Sequence, residues 1–110
     1  MYKVTIEAPA ISDLRGIRNH IANTLKEPAI AKRIYFIIKN KIQTLDQFPF
    51  RYQLVDDEFL AAQGIRILIA ENYLSFYVIN DATKEVNVLR ILHSRRDWQT
   101  ILSSAEGMES

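Results

Sequence analysis

Nine residues toward the C-terminal end concentrate the polar chemistry of the chain. Arg90, His93, Arg95 and Arg96 stand there against Asp97 alone, and Trp98 closes the run. Arginine offers a planar fork of donors to phosphate, and an indole offers a flat face to a base, so such a stretch can grip and stack nucleic acid. The same residues also describe a solvated strand end followed by a core tryptophan, and composition leaves both readings open. Arg66 and Arg90 are sharper signals, because each interrupts an otherwise apolar strand. With a period of two, Arg66 shares its face with Leu68, and Arg90 shares its face with Val88 and Leu92. A permanent charge in that position is either paired with a carboxylate or presented in a groove. In a groove, two guanidinium groups could stabilise a phosphorane-like transition state. His93 ends the same strand and could move protons near neutral pH, as a ribonuclease that uses a 2′-hydroxyl nucleophile requires. A hydrogen-bonded strand-end histidine is the plainer alternative.

Little else in the chain points to catalysis. His20, the second of two histidines, flanks the apolar stripe of a helix and reads as a surface or boundary residue. With no cysteine, thiolate zinc sites, disulfides and cysteine nucleophiles are all excluded. A metal would need carboxylates such as Asp56, Asp57 and Glu58, and three acids in a loop are weak grounds, so neither metal nor cofactor is expected. Gly64 alone does not make a phosphate loop, and no paired-carboxylate or Ser/His/Asp spacing stands out.

The elements that must hold these residues can be read from periodicity. The chain has 110 residues, 48% apolar and 25% charged, which suits one domain with one core. The net charge is +1, but Glu106 and Glu109 fall after Leu102, so the part before them carries 14 basic against 11 acidic residues. Tyr2, Val4 and Ile6 alternate with polar residues and predict a strand that stops at Ala8-Pro9. That opening does not resemble a secretion signal, and no window is long and apolar enough to span a membrane, so a cytoplasmic location is expected. Ser12 is a candidate N-cap for a helix with Leu14, Ile17, Ile21 and Leu25 on one face. Glu27-Pro28 punctuates the chain before a longer helix carrying Ile30, Ile34, Ile37, Ile38, Ile42 and Leu45, which should end before Phe48-Pro49-Phe50. The two make a helical hairpin.

Arg51 to Leu60 reads as a connecting loop with a turn of helix at most. Runs from Ile65, from Tyr73 to Ile79 and from Val86 to Leu92, separated by Glu71-Asn72 and Asn80–Lys84, predict three strands in an antiparallel meander. A short helix after Asp97 follows, and residues 103–110 should fray. The expectation is an α+β fold in the order β-α-α-β-β-β-α. One domain over residues 1–102 would hold an antiparallel sheet of about four strands, with the helical hairpin packed on one face. Ile17, Ile21, Ile34, Ile38, Ile67, Phe76 and Val88 should then share one core.

Several short motifs, in order, resemble the RelE/ParE superfamily of bacterial toxins. They are Gly64-Ile65-Arg66 opening a strand, Glu71-Asn72-Tyr73-Leu74-Ser75-Phe76-Tyr77 at the hairpin, and Leu89 to Trp98 at the end. Asp13-Leu14 with Ile17, Leu45-Asp46-Gln47-Phe48-Pro49 and the element order support the resemblance, which covers residues 2 to about 102. It implies the toxin half of a type II toxin–antitoxin module, with a cognate antitoxin as partner. RelE-like members cleave messenger RNA on the ribosome, and ParE-like members poison DNA gyrase without catalytic residues of their own. Arg66 and Arg90 match positions where the RNA-cleaving branch carries functional arginines, and His93 lies near a catalytic histidine of some members. On that branch Arg95, Arg96 and Trp98 would contact nucleic acid, and ribosome and messenger would be the partners. No tyrosine follows Tyr77, a departure from many RNA-cleaving members. An mRNA endoribonuclease is therefore the first expectation and a gyrase poison the alternative.

Overall fold

The computed structural model describes the backbone of residues 1–109 and the side chains of residues 1–104. Four strands form one sheet: β1 (Lys3–Ile6), β2 (Arg66–Ala70), β3 (Tyr73–Asn80) and β4 (Glu85–His93), in the spatial order β1-β4-β3-β2. The meander β2-β3-β4 is antiparallel as expected, with Ala70 opposite Tyr73 across the Glu71-Asn72 turn. The sheet as a whole is mixed, which corrects the antiparallel expectation, because β1 pairs parallel to β4 from Lys3↔Glu85 to Ile6↔Val88. No hairpin turn follows β1, and a strand returning through a helical crossover is free to pair in parallel.

Helix α1 (Ala8–Asn19) begins four residues before the expected Ser12 cap. Pro9 accounts for this: its fixed φ and missing N–H suit the first turn of a helix, so it starts α1 as well as stopping β1. The helix widens into a π turn at His20–Thr24, and the chain reverses before α2 (Pro28–Gln43). Ala31, Ile34, Ile38 and Ile42 of α2 are buried, as is Leu45 in the 3-10 turn that follows. A five-residue α3 (Glu58–Ala62) is capped by Asp57, whose carboxylate accepts from the Leu60 N–H at 3.0 Å. The last helix, α4, continues from Trp98 to Glu109, well beyond the short segment that the sequence suggests. Among the described residues no helix is long and apolar enough to cross a membrane.

Both faces of the sheet are covered, so there are two cores. On the first face the α1–α2 hairpin packs Leu14, Ile21, Ile34 and Ile38 against Leu68, Tyr77, Val86, Val88 and Ile91. On the second, α3 and α4 bring Leu60, Trp98 and Leu102 onto Ile65, Leu74, Phe76 and Leu92. Ile67 and Phe76 therefore lie behind the sheet from the hairpin and do not share a core with Ile38, as their place in the alternation of β2 and β3 dictates. Val88 and Leu92 also face opposite sides, although they are four residues apart. A register shift opposite Phe76/Tyr77 inserts an extra residue into β4, and one extra residue inverts the alternation beyond it.

Candidate functional site

Arg90 sits at this irregularity, beside an edge that opens within β4. β1 covers β4 only as far as Val88, whose carbonyl accepts from Glu7 N–H at 2.9 Å, and Pro9 then turns the chain into α1. The next outward backbone donor, Ile91 N–H, needs another acceptor. Asp13 of α1 provides it at 2.9 Å. The same carboxylate accepts from Arg90 Nε at 2.7 Å and Nη2 at 2.9 Å, a bidentate fork. The two side chains are 24% and 15% exposed. Hydrogen bonding to Asp13 holds the Arg90 guanidinium above its ordinary pKa and outweighs its desolvation. Of the two readings open at this position, the geometry is that of a carboxylate pair: it ties α1 to the sheet and spends the fork of Arg90 on Asp13.

Arg66 turns the other way. It lies opposite Tyr77 on β2, and its Nη1 donates to Tyr52 O at 2.6 Å and more weakly to Phe50 O at 3.4 Å. The guanidinium carbon is 5.1 Å from the centre of the Phe50 ring, a cation–π contact. Between Arg66 and Arg90 runs β3, which at the usual strand spacing separates the two backbones by about 9–10 Å laterally, and the two head groups diverge from there. His93 is paired with Tyr73, four residues along β3 from Tyr77, or roughly 13 Å at the rise of a strand. Its ring meets the Tyr73 ring edge-on at 5.3 Å, and its Nδ1 accepts from Arg95 N–H at 3.1 Å. Burial raises the Tyr73 hydroxyl pKa. Arg66, Arg90 and His93 are thus on one sheet but are not brought to one phosphate-sized point.

Arg95 and Arg96 occupy the exposed turn after β4, with no side-chain partner among the described residues. Trp98 belongs to the second core: its ring lies 5.2 Å from Phe76 at an interplanar angle of 33°, and it is partly buried. Its flat face is turned largely inward, in keeping with the core reading of this residue.

A second constellation gave only a stop signal in the sequence. After α2 the chain passes through Phe48 and a 3-10 turn at Pro49–Arg51. Phe48 has φ 49° and ψ 52°, the left-handed region, which a bulky residue rarely enters and which is further disfavoured before proline. Arg51 Nη1 donates to Gln47 O and to Phe48 O (3.0 Å), and its Nη2 donates to Thr44 Oγ1 at 2.8 Å. The buried Tyr77 hydroxyl donates to Pro49 O at 2.7 Å, and burial pushes its pKa up to about 12. The turn so fixed leaves Phe48 78% and Phe50 50% exposed. With Met1, Tyr2 and Asp46 it borders an open groove of about 770 Å³. A Phe-Pro-Phe-Arg string at a helix end was the available clue.

Comparison with known proteins bears on which of these features matters. Residues 4–98 match the family model described as "ParE toxin of type II toxin-antitoxin system, parDE". No curated protein sequence matches the chain. Among solved structures, a chain of the chromosomal ParDE toxin–antitoxin system from P. aeruginosa superposes with a TM-score of 0.69 at 23% identity, over 84% of this chain and 96% of that one. A chain of the toxin–antitoxin complex RelBE2 from Mycobacterium tuberculosis superposes with a TM-score of 0.58 at 22% identity, with the same two coverages. At such identities the two structures speak for the fold.

Proposed function

Because the chain belongs to the ParE family of toxins of type II toxin–antitoxin systems, we propose that it arrests growth by binding its target, DNA gyrase, and not by cutting messenger RNA. One observation carries this reading. The three groups that a nuclease would need together, Arg66, Arg90 and His93, are dispersed over the sheet, and the fork of Arg90 is occupied by Asp13. Preorganised transition-state stabilisation requires donors that converge on the position where charge develops. Two arginines that diverge from opposite flanks of β3 do not meet that requirement. A toxin that works by occupying a surface needs only a rigid scaffold, and a sheet packed on both faces supplies one.

The partner that restrains it is an acidic antitoxin. Arg95 and Arg96, exposed at the end of β4 and without a side-chain partner among the described residues, offer carboxylates of an incoming segment a charge-assisted seat. Such a segment, disordered when free, would fold as it binds. The reading is tested with His93→Gln, which keeps a polar side chain and removes the imidazole. Growth arrest on expression without antitoxin should be undiminished. Loss of arrest by a folded His93→Gln protein would return the chain to the acid–base chemistry of a nuclease.

A further inference from the structure

We propose that the Phe48–Arg51 turn is the surface by which this toxin seizes its target, with the Phe48 and Phe50 rings entering an apolar pocket on a target protein. The inference rests on the reading that the chain acts by binding. Its ground is the cost at which the two rings are shown to solvent. A phenylalanine before proline in left-handed backbone persists only when its surroundings over-determine it, and here they do. Arg51 ties the carbonyls of Gln47 and Phe48 with one guanidinium, Tyr77 reaches from the core to Pro49 O, and Arg66 anchors the chain again at Tyr52 O. Nothing in this arrangement buries Phe48, which is the residue it holds in place.

The two residues, with an aromatic side chain presenting about 150–250 Å² each, show roughly 200–300 Å² of largely aromatic surface at these exposures. Rigid exposed aromatics at one point are the composition of an interface hot spot. The occupant follows from where the cations point. Nucleic acid would require guanidinium donors aimed outward at phosphates. The hydrogen bonds of Arg51 and Arg66 run instead to the carbonyl and hydroxyl oxygens of their own chain, while the Phe48 and Phe50 side chains are left exposed. The two charged side chains that border the groove, Asp46 and Arg51, offset each other, so its lining offers a polyanion no net positive seat. The turn lies where β1 begins, with Phe50 against Tyr2 at 6.5 Å, and Tyr2 bonded to Asp81 of the β3–β4 turn. Arg95 and Arg96 follow the end of β4, so target and antitoxin seats fall at opposite ends of the sheet.

The test uses the full chain with Phe48→Gly alone and with Phe48→Gly/Phe50→Ala. Glycine accepts the positive φ, so the first variant keeps the turn while losing the ring. The melting temperature of Phe48→Gly should match wild type, and the double variant should stay folded with a lower one, since it also loses the contacts of Phe50 with Arg66 and Tyr2; both should bind the cognate antitoxin as wild type does. The inducer level needed for growth arrest should rise at least tenfold, and so should the concentration that inhibits gyrase supercoiling. Full arrest by a folded Phe48→Gly/Phe50→Ala protein overturns the proposal. If the double variant unfolds, full arrest by Phe48→Gly does so. Equal loss of antitoxin binding would make the turn an antitoxin seat, and loss of binding to a single-stranded oligonucleotide would make it a nucleic-acid platform; either overturns it. If wild type arrests growth without touching gyrase and the variants do not arrest, the turn stands and the gyrase reading falls. If wild type does not arrest growth, both fall.

Discussion

Replacing Arg90 by alanine separates a structural arginine from a chemical one. The change leaves the Asp13 carboxylate, 15% exposed, with a single donor, Ile91 N–H, where it had three. Breaking one side of a buried pair costs about 3–5 kcal/mol. Partial access of water to this site and the surviving backbone bond reduce that to about 2–4 kcal/mol. In a domain of this size such a loss lowers the melting temperature by roughly 10–20 °C. Asp13→Asn keeps an acceptor for Ile91 N–H and leaves Arg90, 24% exposed, able to reach solvent, so it should cost less, about 1–2 kcal/mol. The double variant should show a coupling of at least about 1 kcal/mol in urea denaturation. A stability of Arg90→Ala within about 0.5 kcal/mol of wild type would refute the idea that this pair fastens α1 to β4.

Three other perturbations probe the packing. Ile38 is fully buried in the first core, so Ile38→Ala should cost about 2–5 kcal/mol by denaturant titration; under about 1 kcal/mol would mean that the α2 stripe is not packed as described. Ser75 is fully buried and its Oγ has no hydrogen-bond partner among the described residues, so Ser75→Ala should be neutral or stabilising by up to about 1 kcal/mol, and a loss above about 1 kcal/mol would reveal a partner for the hydroxyl. Tyr77 carries the same logic into pH. Its folded pKa of about 12 lies above the unfolded value of 10.0, so the unfolded chain releases this proton first and stability falls as pH rises from about 10 to 12. Tyr77→Phe should flatten that limb of the stability profile, and an unchanged alkaline slope would contradict the buried hydroxyl.

Most of the architecture was legible because it is locally encoded. Glu71-Asn72 and Asn80–Lys84 carry turn residues at the β2–β3 and β3–β4 reversals, and the isoleucines of α2 keep helical spacing. The errors fall where a residue has two local meanings or where the deciding partner is remote. Pro9 stops a strand and starts a helix in one step, so a cap sought at Ser12 was unnecessary. The bulge in β4 leaves no mark in composition, yet it takes Val88 off the face that Arg90 shares with Leu92. An arginine in an apolar strand announced that it needed a partner, but Asp13 lies 77 positions away. Phe48-Pro49-Phe50 read as a helix stop, and that Phe48 would be held left-handed and open to solvent depended on Arg51, Tyr77 and Arg66 arriving from three directions.

Growth arrest by binding and growth arrest by cutting are told apart with the purified wild-type chain in two assays run side by side. One follows gyrase supercoiling and the other follows messenger integrity on translating ribosomes, each titrated from well below to well above the concentration of its target. Supercoiling should fail once toxin approaches the amount of gyrase, while messenger stays whole at every ratio. Cleavage of messenger by substoichiometric toxin, with supercoiling intact, would contradict arrest by binding.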